Sequence, residues 1–173
     1  MRAYTSAVFA LFAFTLAVPV RAQDAKPVEV TPYVALGSGV ASPVGAAVTF
    51  PLRSKLSVET DVAYRRAEGD IPALSLSASL LYDLPRIGQS TPYVAGGIGL
   101  SKYGSPIFSS NGRPIATQSG LAISVNAGGG LKMPMNEKLD LRTDARWFKL
   151  VGPQAPSEGF RVAQGISFDL GKR

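Results

Sequence analysis

From Leu56 to Arg66 the chain reads LSVETDVAYRR, and its side chains sort by parity. Leu56, Val58, Thr60, Val62 and Tyr64 share one side, Ser57, Glu59, Asp61, Ala63 and Arg65 the other. A period of two predicts extended backbone with two different surroundings, because successive side chains of a strand point to opposite faces. The pattern returns four times. Leu139, Leu141, Thr143, Ala145 and Trp147 oppose Asp140, Arg142, Asp144 and Arg146; Leu121, Ile123, Val125, Leu131 and Met133 oppose Ser124, Asn126, Gly128, Gly130 and Lys132. Leu74, Leu76, Ala78, Leu80 and Tyr82 oppose Ser75, Ser77, Ser79 and Asp83; Phe160, Val162, Ile166, Phe168 and Leu170 oppose Arg161, Ser167 and Asp169. Further strands at roughly 29–38, 44–52 and 92–103 bring the expected number to eight, and no stretch after residue 22 carries a helical period.

Alternation alone fits a soluble barrel with an apolar interior as well as a membrane barrel with an apolar exterior. Two features decide for the membrane. The polar parity is rich in Gly, Ser and Ala, a poor solvent coat but a suitable lining for a narrow lumen holding Arg and Asp. The aromatics also gather at strand ends, with Tyr33, Phe50, Tyr82, Tyr93 and Phe168 expected at one rim and Tyr64, Tyr103, Trp147, Phe148 and Phe160 at the other. Two girdles around an apolar band predict an all-β fold, an eight-stranded antiparallel transmembrane up-and-down β-barrel. The connections alternate accordingly. PLRSK, PRIGQS and MPMNEK are compact turns for the periplasmic side; SGVASP, RAEGDIP, GSPIFSSNGRPIATQSG and GPQAPSEG are longer and belong outside, Gly104 to Gly120 being the longest loop.

Ahead of the strands, Arg2 precedes a nearly continuous apolar run from Ala7 to Val20 that ends at Val20-Arg21-Ala22. Residues 1–22 are therefore expected to be a cleaved secretory signal peptide, and residues 23–173 the outer-membrane barrel domain. Removing Arg2 and Arg21 lowers the formal net charge from +6 to +4. The remaining basic residues form no run, which argues against nucleic acid as a partner. With no Cys and no His, thiolate nucleophiles, imidazole bases and the common zinc sites are excluded.

The pentapeptide Thr-Pro-Tyr-Val-Ala occurs twice, at Thr31 to Ala35 and Thr91 to Ala95. Both copies are expected to open strands rising from the periplasmic rim, with Pro32 and Pro92 at strand entry and Tyr33 and Tyr93 at headgroup level. Together with TPYVAGGIGLSKYG, GGGLKMPMNEKLDLRTDARW and the ending GISFDLG, the chain resembles the small outer-membrane barrel domain shared by the opacity proteins and the membrane domain of outer membrane protein A. The resemblance implies an adhesin, a structural anchor or a narrow pore. It also implies recognition by the barrel assembly machinery through a final-strand signal, which Gly165, Phe168 and Leu170 match.

Two groups of residues could carry chemistry. Glu59 with Asp61, or Asp140 with Asp144, could form an acid–base pair. Arg65, Lys132, Arg142, Arg146 and Arg161 share their inward parity, so these acids together with Asp169 are expected instead to form a lumenal ion-pair network. Enzymatic barrels of similar size, lipid A deacylases and outer-membrane proteases, use a catalytic His, so a lipid-modifying enzyme ranks below a narrow pore, and both below a non-enzymatic structural or surface-interaction role. The glycine clusters at Gly96–Gly97 and Gly128–Gly130 lack the helix of a phosphate loop and give room in the lumen. No cofactor is expected. The outward parity ends in Arg66, Lys102 and Lys149, at a height suited to phosphates of outer-leaflet lipopolysaccharide. A further surface partner has no signature in the sequence.

Overall fold

The computed structural model describes residues 26–38, 44–66, 72–108, 111, 114–151 and 158–171, with backbone alone for 65–66, 72–73, 103–108 and 114–119. The expected signal peptide lies outside these residues. Eight strands follow in order: β1 Val28–Gly37, β2 Val44–Pro51, β3 Leu56–Arg66, β4 Pro72–Asp83, β5 Thr91–Phe108, β6 Pro114–Pro134, β7 Leu139–Val151 and β8 Glu158–Leu170. Each pairs antiparallel with its neighbours, and β8 closes on β1 through Val28↔Leu170 to Gly37↔Arg161. Closure leaves no sheet edge in the body of the barrel, so backbone donors and acceptors are satisfied by neighbouring strands.

The outer wall is apolar. Val34, Leu36, Leu80, Val94, Ile98, Leu121, Ile123 and Leu170 are all exposed, whereas Glu59, Asp61, Asp144, Arg142, Arg146 and Arg161 are buried inside. This inversion of the soluble pattern is what a hydrocarbon solvent demands. Outward-facing Phe50, Tyr82 and Phe168 mark the rim with the short turns, and Tyr64, Trp147 and Phe160 the opposite rim. Three of the expected girdle residues belong elsewhere. Tyr33, Tyr93 and Phe148 are buried on the inward parity, and of Tyr103 only the backbone is described.

At one rim the turns are short. Leu52 and Arg53 both donate to the carbonyl of Leu56, and Met135 and Asn136 to that of Leu139. Between Ile87 and Ser90 a two-residue turn closes with Gly88 at φ 62°, a backbone region that glycine enters without steric cost.

Within the expected long loop from Gly104 to Gly120, Gly104–Phe108 and Pro114–Gly120 belong to paired strands. Pairing continues through Gly104↔Ser119, Pro106↔Thr117 and Ile107↔Ala116 to Phe108↔Pro114, with a register shift between Ile107 and Phe108. β4 stops pairing with β5 at Leu74↔Lys102, and β7 stops pairing with β6 at Ile123↔Val151. Among the described residues, Tyr103–Phe108 and the start of β6 pair only with each other, and this hairpin stands beyond its neighbours.

Candidate functional site

Period-two alternation sends every second residue of eight strands into the same narrow lumen. Three carboxylates and three guanidiniums meet at its centre. Glu59 on β3 accepts hydrogen bonds from Arg142 Nη1 and, at 2.6 Å, from Arg146 Nη2, while Thr49 Oγ1 donates to it from 3.2 Å. Asp144 on β7 lies 2.9 Å from Arg146 Nε, 3.6 Å from Arg142 Nη2 and 3.7 Å from Arg161 Nη2. Asp61 on β3 takes Arg161 Nη1 at 3.3 Å. Glu59 and Arg146 are each 1% exposed. A charge so buried persists only when opposite charge and hydrogen bonds replace its lost hydration, and three against three leaves this layer neutral.

The repeated pentapeptide supplies the second component. Tyr33 of β1 is in register with Gly45 of β2, and its hydroxyl donates to Asp61 of β3 at 2.6 Å. Tyr93 of β5 is in register with Gly130 of β6, and its hydroxyl donates to Asp144 of β7 at 2.7 Å. The same Tyr–Gly–Asp arrangement thus recurs four strands away, half the barrel's circumference. Each hydroxyl also accepts from an arginine, Tyr33 from Arg161 Nη1 at 2.7 Å and Tyr93 from Arg142 Nε at 2.8 Å. The guanidiniums lie 4.8 Å from the respective ring centroids, within cation–π range. The glycines are required by space. A Cβ at Gly45 would sit 2.3 Å from the Tyr33 hydroxyl, and one at Gly130 2.5 Å from the Tyr93 hydroxyl. The repeat therefore places two tyrosines as lumenal struts; the headgroup position expected for them is wrong.

Arg146 Nη1 continues the network to Ser79 Oγ at 3.3 Å, and Ser79 donates to Asn126 Oδ1 at 3.2 Å. Free space among the central charges amounts to about 10 Å³, room for a single water. Toward the short-turn rim the lumen widens into a polar vestibule of about 210 Å³. Lys132 bonds Glu29 there at 2.6 and 2.9 Å, and Lys26 pairs with Asp83.

Of the expected network, Glu59, Asp61, Arg142, Asp144, Arg146 and Arg161 come together. Lys132, Asp140 and Asp169 line the vestibule, where Lys132 is ion-paired with Glu29. The side chain of Arg65 lies outside the description. Tyr33, Tyr93, Thr49, Ser79, Glu29, Lys26 and Asp83 were not anticipated in the lumen's hydrogen bonding, though parity marks the two tyrosines: Val34 and Leu36 take the outward positions of β1, leaving Tyr33 with Glu29 and Thr31. The expected acid–base pairs are occupied differently. Glu59 holds two arginines, and Asp140 and Asp144 lie in different parts of the lumen. Among the described residues no cluster of acids suited to a metal occurs.

Lys102 and Lys149 are exposed at the rim with the hairpin, the latter in register with Glu158; Arg66 ends β3 in register with Pro72, its side chain undescribed. Gly165, Phe168 and Leu170 lie on β8. A Cβ at Gly165 would come within 2.4 Å of the Pro32 carbonyl and 2.9 Å of Tyr33 Cβ, so this glycine also has a packing role beside the first strut.

Neither a protein-family model nor a curated protein matches the chain. Solved structures do. The N-terminal β-barrel domain of Pseudomonas aeruginosa OprF superposes with a TM-score of 0.64 at 17% identity, covering 84% of this chain and 98% of that one. Ail, the attachment invasion locus protein of Yersinia pestis, gives 0.58 at 12% identity, with 86% and 100% covered. Neisserial surface protein A gives 0.57 at 15% identity, with 83% and 96% covered. With its closed antiparallel ring of eight strands, apolar outer wall and charged interior, the chain has the fold of the eight-stranded outer-membrane β-barrels.

Proposed function

We propose that this protein is a non-conducting, non-catalytic barrel of the bacterial outer membrane that serves as a structural element and presents its β5–β6 hairpin for contact at the cell surface. The observation carrying this reading is the lumen's central layer, where three ion-paired carboxylates and three arginines leave about 10 Å³ between them. A barrel that transports needs a continuous wet path, and this layer interrupts it. The hairpin beyond Lys102 and Val151 supports surface contact, since it projects from the rim opposite the short turns. A catalytic role is disfavoured because the buried carboxylates are held as partners of arginine and the chain lacks His and Cys.

Planar-bilayer recording and cell-binding assays test the two halves of the proposal. The wild-type protein is expected to give no resolved channel, and deletion of Ser105 to Ser119 to leave insertion intact while lowering attachment of expressing cells to host-cell or matrix surfaces. Steady, well-resolved openings would replace the plug with the pore reading. Attachment unchanged by the deletion would remove the hairpin from the surface role.

Lipopolysaccharide is proposed as the lipid partner, through Arg66, Lys102 and Lys149. Exposed Lys102 and Lys149 stand at the rim, Lys149 two residues beyond the outward Trp147, where the cost of a cation on the lipid face falls to about 0–1 kcal/mol. Charge-assisted bonds to phosphate exceed that cost. Changing all three to Gln is expected to lower the melting temperature more in lipopolysaccharide vesicles than in neutral detergent. An equal drop in both would assign the cations to contacts within the protein.

A further inference from the structure

The lipid-facing parity of the described strands is apolar between the aromatic girdles with three exceptions, Thr60, Thr143 and Gln164. Thr60 satisfies itself locally, its hydroxyl donating to the Val48 carbonyl at 3.5 Å. Gln164 is different. It is exposed on the outer face of β8, four residues from Phe160 and four from Phe168, the outward aromatics of the two rims. At about 3.3 Å per residue it stands about 13 Å along the strand from either. A glutamine side chain reaches less than half that distance, so its carboxamide stays within hydrocarbon.

Thr143 on β7 is its register partner, and Val34 on β1 flanks it on the other side. Among the described residues, neither the Gln164 carboxamide nor the Thr143 hydroxyl has a side-chain hydrogen-bond partner. Even a bond between the two would leave one amide N–H unused. Hydrocarbon offers nothing to such a group. Around it Val34, Leu36, Val162 and Ile166 are exposed, Leu36 by 83%.

We infer that the β7–β8–β1 wall, centred on Gln164 and Thr143, binds a second copy of this chain within the membrane. A carboxamide both donates and accepts, so it is complementary to itself. A second barrel inserted the same way up carries the same group at the same depth. A two-fold axis along the membrane normal brings Gln164 against Gln164, or Gln164 against Thr143 reciprocally, as an isologous contact. An unrelated partner would need its own polar group at that depth, and acyl chains have none.

The absence of cysteine makes the test direct. Val162→Cys and Ile166→Cys flank Gln164 on its own face, and Leu76→Cys on β4 lies on the far wall. In native membranes treated with an oxidant, the first two are expected to give a covalent dimer at least five-fold more efficiently than Leu76→Cys. Adding Gln164→Leu to Val162→Cys should reduce that yield to the far-wall level, with Gln164→Met as the substitute if the leucine variant fails to insert, as judged by heat-dependent gel mobility. Equal cross-linking on both walls, or a dimer indifferent to loss of the carboxamide, would overturn the inference.

Discussion

Replacing Glu59 with alanine is expected to lower folding stability by about 3–5 kcal/mol, the penalty for leaving charge buried without its partner. Glu59 accepts from both Arg142 and Arg146, so its removal strands two guanidiniums on the same inner wall. With Asp61 engaged by Arg161, Asp144 is left to offset both of them with one charge. Water entering the vacated space moves the cost to the lower end of the range. The same substitution clears side-chain volume in the central layer, so conductance events more frequent than in the wild type are expected in planar bilayers. Urea unfolding in vesicles, followed through the single tryptophan Trp147, measures the stability change. A midpoint unaltered by the substitution would show that the arginines do not depend on Glu59.

Tyr93→Phe is the second large effect. The lost hydroxyl donates to Asp144 and accepts from Arg142 Nε, both charged partners in a buried setting. Hydrogen bonds to charged groups are worth about 1.5–3 kcal/mol, and that loss is expected here. Tyr33→Phe should cost a similar amount, since its hydroxyl bridges Asp61 and Arg161. Tyr82→Phe provides the contrast. Its ring is on the outer wall at 46% exposure, and the change should stay within about 0.5 kcal/mol. Equal losses at Tyr82 and Tyr93 would mean that the lumenal bonds contribute nothing beyond ring packing.

The barrel is legible from alternation because its two surroundings differ so strongly. Lipid selects Leu, Val and Ile on one parity and a crowded lumen selects Gly, Ser and charge on the other, so strands such as Leu56–Arg66 announce both their type and their facing. Tyrosine defeats that reasoning. Its ring suits a lipid interface and its hydroxyl suits a polar network, so composition alone misplaces Tyr33 and Tyr93 even though neighbouring Val34 and Val94 settle their direction. The hairpin fails for another reason. Beyond the bilayer there is no apolar solvent to enforce alternation, and Gly104 to Gly120 reads as loop although Gly104–Phe108 pair with the start of β6. Which arginine meets which acid depends on barrel stagger. Arg142 reaches Glu59 across 83 positions of sequence, a pairing that no local pattern encodes.

The buried charge layer also bears on how the protein responds to salt. Exposed ion pairs weaken as electrolyte is added because mobile ions gather between the partners; the screening length shrinks from about 30 Å at 0.01 M to about 3 Å at 1 M. Glu59, Arg142, Arg146 and Arg161 lie where such ions have no room to follow. Their mutual attraction is therefore nearly independent of the medium outside, and a cell carrying this barrel from fresh water into brine keeps the same ion pairs in the same wall.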